Sequence, residues 1–116
     1  MSEWAPDRGD IIRVDLKPVK GHEHGGRTRP VLVLSPYEYN VRTNLCITVP
    51  LTTKQKGYPF EVETGTFPMK TRGVILADAV RSIDWNTRNA RFIEKADKAF
   101  VDDVLLKLAT LLATDR

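Results

Sequence analysis

Apolar and polar residues follow one another along the first two thirds of the chain in patterns that predict β-strands. From Ile11 to Leu16, apolar side chains alternate with Arg13 and Asp15, which is typical of a half-buried strand. Residues 31–34 are apolar throughout, which predicts a strand buried on both faces. Further strands are predicted at 45–51, 60–63 and 73–77, and a short strand or turn at 80–85.

The pattern changes to a helical period near the end of the chain. Asp97 is placed to cap a helix that continues to Leu112. Its apolar face is predicted to comprise Val101, Val104, Leu105, Leu108, Leu111 and Leu112. Ser35-Pro36 ends the second strand and predicts a capped helical turn through Tyr37 and Asn40. Together these elements predict an α+β, mainly β fold: a β-barrel with short helices, closed by a C-terminal amphipathic α-helix.

Length and composition limit the number of domains and the cellular compartment but do not indicate a function. No linker or repeat divides the 116 residues, so residues 1–116 are predicted to form one domain. A single cysteine, Cys46, lies in an apolar run and predicts a buried thiol in a reducing compartment. No apolar stretch approaches the roughly 20 residues of a membrane span, so we expect a cytoplasmic protein without a membrane segment.

The net charge of +3 is too small to name a partner, but its distribution is informative. Residues 1–93 contain 14 Lys and Arg against 10 Asp and Glu, whereas residues 94–116 contain 4 against 5. Polar side chains concentrate in two predicted strand-joining loops. The first loop contains Lys17, Lys20, His22, Glu23, His24, Arg27, Thr28 and Arg29, and the second contains Thr52, Thr53, Lys54, Gln55, Lys56 and Tyr58.

Arg29 and Thr52 stand at the ends of two predicted strands. Pro30 biases Arg29 toward an extended conformation at the edge of a buried strand, and Thr52 lies beside it if the second and third strands pair. A guanidinium, a hydroxyl and a loop carboxylate suit phosphodiester transfer. Composition alone favours a plain anion-binding surface, since basic loops are often only that. His22, Glu23 and His24 offer three ligands where structural zinc takes four, so no metal site is predicted.

The same residues resemble a known family. Three segments, GDIIRVDLKPVKGHEHGGRTRPVLVLSPYEYN, CITVPLTTKQKGYPFEV and GVILADAVRSIDW, follow one another over roughly residues 8–86. In that order they are similar to the MazF/PemK (ChpB-type) toxins of bacterial toxin-antitoxin modules. The predicted C-terminal helix also lies where that family has one.

The resemblance implies an SH3-like barrel of the CcdB/PemK type that forms a homodimer and cuts single-stranded mRNA without metal or cofactor. Cleavage in this family uses the ribose 2′-OH as nucleophile and leaves 2′,3′-cyclic phosphate and 5′-OH ends. The family's catalytic arginine corresponds to Arg29, its threonine to Thr52 and its loop glutamate to Glu23. Arg29 would stabilise the phosphorane, Thr52 would donate to a nonbridging oxygen, and Glu23 or a neighbouring histidine would act as general base.

The first loop departs from the family pattern, because the stretch between Glu23 and Pro30 is one residue longer than in some relatives. Arg27 is therefore a second candidate for the phosphate role of Arg29. For Glu23, a solvated loop carboxylate without a catalytic role is an equal alternative, because exposed carboxylates are common in loops.

Other residues of the resembling segments are predicted to bind RNA through backbone charge and stacking. These are Lys17, Lys20, His24, Arg27, Lys54, Gln55, Lys56, Tyr58, Arg81 and Ser82. Trp85 could extend this track, although a core or dimer-interface position is the favoured interpretation. The resemblance further implies an acidic MazE-like antitoxin as partner. Two alternatives remain at this stage: a non-enzymatic toxin that binds a topoisomerase, as CcdB-type proteins do, and a simple RNA-binding module.

Overall fold

The computed structural model describes residues 4–16 and 27–113, which form seven strands and two helices. The strands are β1 (Asp10–Asp15), β2 (Thr28–Val33), β3 (Leu45–Thr52), β4 (Glu61–Glu63), β5 (Val74–Leu76), β6 (Arg81–Asp84) and β7 (Arg91–Lys95). The helices are α1 (Tyr37–Thr43) and α2 (Lys98–Leu112).

All strand pairs are antiparallel, in the order β4-β5-β3-β2-β1-β7. Two strands pair with different parts of one edge of the long strand β3: β6 pairs with Leu45–Thr48, and β5 pairs with Leu51 and Thr52. The sheet therefore branches at β3, and within the described residues β4 and β7 do not pair to close it. The predicted α+β, mainly β class and C-terminal helix are confirmed, whereas the closed barrel is not.

Apolar side chains cover both faces of the sheet. On β1, Ile11 and Ile12 are both fully buried but belong to different clusters, because successive residues of a strand point to opposite faces. α2 packs on the Ile11 side, where Phe100 is fully buried. The Ile12 side includes Cys46, and Trp85 packs against it. Burial of one such aliphatic or aromatic side chain contributes about 1.5–3 kcal/mol.

Helix α2 begins as predicted but buries less than predicted. The Asp97 carboxylate accepts hydrogen bonds from the amides of Ala99 (3.1 Å) and Phe100 (3.4 Å), which confirms the cap. The buried face ends at Leu108, so the last turn projects beyond the core. Leu111 and Leu112 are consequently 42% and 74% exposed, and their predicted place on the buried face is wrong.

Two further details differ from expectation. Strand β7 was not predicted, because its Arg-Phe-Ile-Glu-Lys sequence is largely exposed and its position depends on pairing with β1. Helix α1 is two turns long, and its N-cap is Pro36, without a side-chain cap. The Ser35 hydroxyl instead donates to Asn40 Oδ1 (2.6 Å) and accepts from the Ile47 amide (2.8 Å). It therefore ties α1 to β3 and does not cap the helix.

Candidate functional site

The paired ends of β2 and β3 bring Arg29 and Thr52 together. Val31 lies opposite Pro50, and continuing that register two residues further along both strands places Arg29 opposite Thr52. Both side chains are half-buried and line two clefts in common. The neighbourhood expected from the sequence is therefore present.

Three clefts surround Arg29. The largest, about 600 Å³, is here called the basic cleft and is lined by Arg13, Thr28, Arg29, Pro30, Leu51, Thr52, Thr53, Lys70, Thr71, Arg72 and Ile93. The strap cleft, about 360 Å³, is lined by Arg29, Thr52, Lys54, Lys56, Tyr58, Glu61 and Leu76. The apolar cleft, also about 360 Å³, is lined by Val14, Asp15, Leu16, Arg29, Val31, Thr48, Pro50, Ala79, Val80, Arg81, Ile83 and Arg88. Arg29 thus borders all three clefts.

The Thr52 hydroxyl is oriented by the backbone that follows it. Its Oγ1 accepts a hydrogen bond from the Lys54 amide at 3.2 Å, an arrangement typical of a turn after a strand. A hydroxyl that accepts in this way still has its own proton to donate. Among the described residues no protein acceptor takes that proton, so it is available to an anionic ligand beside Arg29.

Residues 53–60, here called the strap, connect β3 to β4 and form one wall of the strap cleft. The Glu61 carboxylate accepts hydrogen bonds from the amides of Lys56 (2.9 Å) and Gly57 (3.1 Å). Tyr58 Oη donates to Asp78 Oδ2 at 2.6 Å, and this bond, with smaller contributions from burial and the Asp78 charge, raises the pKa of Tyr58. These contacts fix the backbone while the ammonium groups of Lys54 and Lys56 remain exposed.

Residues 70–72, here called the cationic loop, form a wall of the basic cleft and are held by Glu94. The Glu94 carboxylate accepts from the amides of Lys70 (3.0 Å) and Thr71 (2.5 Å), and also from the Thr71 hydroxyl. Burial alone would raise the pKa of Glu94, but these hydrogen bonds, together with the Lys70 charge, lower it below the ordinary value. The loop is thus fixed by an ionised carboxylate.

Gly73 brings the end of this loop against Thr52. Its φ is +143°, and a Cβ at this position would lie 2.5 Å from the Thr52 carbonyl oxygen. Only glycine accommodates both the conformation and the contact.

A model of the PemK-like, MazF-like toxins of type II toxin-antitoxin systems matches residues 7–112. The chain belongs to this family. The resemblance on which the sequence analysis relied is therefore confirmed.

Curated relatives of this chain are named endoribonucleases. It is 50% identical over 90 residues to the endoribonuclease toxin MazF of Escherichia coli strain K12, and the match covers 78% of each chain. It is 35% identical over 109 residues to the endoribonuclease PemK of Escherichia coli, with 91% of this chain and 81% of that relative covered.

Solved structures agree on the fold. The MazF chain in a crystal structure of MazE-MazF (Form-III) from Deinococcus radiodurans superposes with a TM-score of 0.82 at 39% identity, covering 97% of this chain and 100% of that chain. An endoribonuclease from a mycobacterial species, solved in complex with its cognate antitoxin, superposes with a TM-score of 0.75 at 25% identity, covering 97% and 99%.

The structure of this family member separates the predicted site residues into groups. Lys54, Lys56 and Tyr58 share the strap cleft with Arg29 and Thr52, while Gln55 instead donates to Glu63. Arg81 lines the apolar cleft with Arg29, whereas Ser82, its neighbour on β6, is exposed and lines none of the three clefts. Arg27 is exposed, and its carbonyl accepts from the Leu16 amide at 3.0 Å. Predicted residues that lie outside the described part of the chain are Lys17, Lys20, Glu23 and His24, together with His22.

Trp85 has a structural position. Its indole Nε1 donates to the Asn40 carbonyl at 3.1 Å, and its ring meets Trp4 edge-on with centroids 6.0 Å apart. Trp85 is partly buried against the Ile12 cluster, which agrees with the core interpretation.

Several side chains of the PemK-like toxin's clefts were not singled out from the sequence. Arg13 was placed only on the polar face of a predicted strand, and Lys70 and Arg72 lie between the predicted strands at 60–63 and 73–77. The one available signal was that Lys70-Thr71-Arg72 precedes a glycine and a buried strand, as Arg29 precedes Pro30 and its own strand.

Three other features of the described residues were compared with the requirements of a metal site, a thiol nucleophile and a membrane span. Between 4–16 and 27–113, no three His, Cys, Asp or Glu side chains are grouped closely enough to hold a metal ion together. Cys46 is fully buried, and burial raises its pKa to about 12, so its thiol is not a nucleophile at neutral pH. No described helix has the length and apolar character needed to span a membrane.

Proposed function

We propose that this chain, as a single domain over residues 1–116, is the toxin of a type II toxin-antitoxin module. It would act in the cytoplasm as a sequence-specific, metal-independent endoribonuclease on single-stranded mRNA, and so inhibit translation and growth. Support comes from the family, from relatives named endoribonucleases, and above all from the juxtaposition of Arg29 and Thr52 at the junction of two clefts.

The proposed reaction needs no group beyond the RNA and the side chains. The ribose 2′-oxygen loses its proton to a general base and attacks the adjacent phosphorus. The P–O5′ bond then breaks, the 5′-oxygen takes up a proton, and the products end in a 2′,3′-cyclic phosphate and a 5′-OH. Arg29 would neutralise charge on the phosphorane and Thr52 would donate to a nonbridging oxygen. Glu23 or a neighbouring histidine remains our candidate base.

The proposed RNA path uses the strap. Lys54 and Lys56 would attract the sugar-phosphate backbone, and the Tyr58 ring, 45% exposed, offers a face on which a base can stack. The hydroxyl of Tyr58 is engaged with Asp78, so the ring is held in place rather than free to rotate away. Lys17, Lys20, His24, Arg27, Gln55, Arg81 and Ser82 remain predicted RNA contacts.

Incubation of the purified protein with a long defined RNA in EDTA tests the function. We expect discrete fragments with 2′,3′-cyclic phosphate and 5′-OH ends, identified by their resistance to ligation until the ends are repaired. Intact RNA at high protein concentration would overturn the proposal.

Arg29→Ala tests the assigned mechanism. Removing a group that stabilises developing charge typically lowers kcat by about 100- to 1000-fold. Arg42→Ala is the matched control, because Arg42 is an exposed arginine on α1 that lines none of the three clefts. Equal cleavage rates for the two variants would refute the role of Arg29 even if the wild-type protein cleaves RNA.

Two assemblies belong to the proposal. We expect a MazE-like acidic antitoxin to bind this chain, as MazE does in the MazE-MazF structures from Deinococcus radiodurans. We also expect a homodimer, because one domain of this size offers a short groove and because leucines of α2, such as Leu106 at 67%, are exposed. Light scattering coupled to gel filtration tests the dimer, and a monomer at micromolar concentration would contradict it.

A further inference from the structure

The basic cleft is the largest of the three clefts and is lined by Arg29 and Thr52, but its other lining residues have no role in the proposed mechanism. Its walls contribute three further cations, Arg13, Lys70 and Arg72. We propose that the basic cleft is a second phosphate subsite, which binds the RNA backbone next to the phosphate held by Arg29 and Thr52. This inference rests on the proposed function and extends it to the path of the substrate.

Among the residues that the structure describes, no ion pair neutralises the charges of the cleft. Within residues 4–16 and 27–113, ion pairs join Lys95 to Asp7 and Asp10, and Lys98 to Asp102, and none involves a lining residue of the basic cleft. Glu94 lies close enough for the Lys70 charge to affect it, but its carboxylate is occupied by the amides of the cationic loop.

The guanidinium groups retain donors for a ligand. Arg13 Nη1 donates to Thr28 Oγ1 at 3.2 Å, and Arg72 Nη1 makes a long contact of 3.5 Å with the Thr64 carbonyl. Each guanidinium has five N–H donors, so most of them are left for phosphate oxygens. Thr53 and Thr71 line the same space, and the Thr71 hydroxyl donates to Glu94.

The cationic loop is built into the fold. Glu94 holds its backbone at Lys70 and Thr71, and Gly73 fixes its end against the Thr52 carbonyl. A β-bulge explains why Glu94 reaches it: Ile11 pairs with Glu94 but Ile12 pairs with Phe92, so Ile93 is the extra residue of β7. Such bulges redirect side chains, and here one leaves Ile93 in the basic cleft and Glu94 against the loop. The cations are thus positioned before a ligand binds.

The shape and chemistry of the cleft favour a nucleic-acid backbone. A volume of about 600 Å³ is in the range of small-molecule sites and suits a nucleotide unit. Phosphate oxygens take guanidinium donors in pairs. An acidic peptide would also be attracted, but among the described lining residues only Pro30, Leu51 and Ile93 are apolar, and none of them is an aromatic residue that could seat a side chain.

Lys70→Ala/Arg72→Ala tests the subsite, with Arg42→Ala/Lys107→Ala as the control. Both double variants remove one lysine and one arginine, but the control residues lie on α1 and α2, away from the three clefts. Lys70, Arg72 and Arg42 are exposed and Lys107 is only partly buried, so both variants should fold, which thermal unfolding verifies. The probe is a labelled 2′-O-methyl RNA, which lacks the nucleophile and is not cleaved, and binding is measured by anisotropy against salt concentration.

We expect the slope of log affinity against log salt to lose about 0.7 for each phosphate contact removed from a single strand. The site variant should also lower kcat/KM on a long RNA by about 10-fold, with unchanged cleavage products, while the control stays within 2-fold. If the wild-type protein cleaves RNA and the site variant keeps the wild-type slope and kcat/KM, the subsite is refuted while the proposed function stands. If the wild-type protein does not cleave RNA, the proposed function fails, and a reduced slope still supports phosphate binding in the basic cleft. Unchanged RNA binding with weakened binding of a glutamate decapeptide would also overturn the subsite and assign the cleft to an acidic peptide.

Discussion

The strap and the cationic loop flank the same pair, Arg29 and Thr52, and each is held by one glutamate. Glu61 accepts hydrogen bonds from two successive amides of the strap, at Lys56 and Gly57. Glu94 does the same for two successive amides of the cationic loop. In both cases a carboxylate fixes the backbone so that the neighbouring cations face solvent.

We call these two sets of hydrogen bonds, of Glu61 with the strap and of Glu94 with the cationic loop, the two clamps. They differ in the sequence separation between the glutamate and the amides that it binds. Glu61 binds amides four and five residues away, whereas Glu94 binds amides 23 and 24 residues away. The strap therefore requires only its own segment and β4. The cationic loop requires the correct pairing of β7 with β1, including the bulge. We infer that damage to the sheet should loosen the cationic loop before it loosens the strap.

Gly73→Ala should produce the largest difference between the two segments. The added Cβ would lie 2.5 Å from the Thr52 carbonyl oxygen at a φ of +143°, so either the cationic loop or β3 must move. We expect a loss of about 1–3 kcal/mol in the free energy of unfolding, measured by urea denaturation. Cleavage of RNA should fall as well, because Thr52 is displaced.

Two other glycines serve as controls that separate the backbone strain of a positive φ from the steric contact of the added Cβ. Gly57 in the strap also has a positive φ, +75°, but a Cβ there meets nothing within 4 Å, so Gly57→Ala should cost only the strain of about 1 kcal/mol. Gly65→Ala has open space and should be nearly neutral. If Gly73→Ala costs no more than Gly57→Ala, the contact with Thr52 is not a constraint.

Glu94→Gln should have the next largest effect, and that effect should depend on pH. The pKa of Glu94 in the folded state is lowered, so its contribution to stability is present above its unfolded pKa and is lost as the pH falls through the folded pKa. Because the side chain is only partly buried, we expect the variant to be about 1 kcal/mol less stable at pH 7. The difference should shrink below the ordinary glutamate pKa, which urea denaturation at several pH values measures.

Glu38→Gln is the control for that experiment, since Glu38 is an exposed residue of the first turn of α1. It should track the wild-type protein closely at every pH. A Glu94→Gln deficit of equal size at pH 7 and at acidic pH would show that loss of shape, rather than loss of charge, destabilises the loop.

The contrast between the clamps also explains what the sequence could predict. Arg29, Thr52 and Tyr58 were identified because their settings are local: Pro30 fixes Arg29 at a strand end, and the strap is one polar segment between two strands. Six of the seven strands and α2 follow from apolar periodicity for the same reason. Strand β7 and the basic cleft were missed because Glu94, Lys70 and Arg13 meet only through a bulged pairing that no periodicity reveals. Sheet closure and the exposure of Leu112 likewise depend on long-range packing.

Glu61→Gln should have the smallest effect on stability, within about 0.5 kcal/mol, because the clamp is local and near the surface. Its consequence should be found in substrate binding. In the variant, a looser strap would become ordered only when RNA binds, and this ordering weakens ground-state and transition-state binding equally. KM should therefore rise while kcat stays near the wild-type value. Steady-state cleavage of RNA measures both, with Glu38→Gln as the control, because Glu38 is exposed on α1 and lines none of the three clefts. A fall in kcat at unchanged KM would contradict the clamp and would mean that Glu61, which shares the strap cleft with Arg29, takes part in the chemical step.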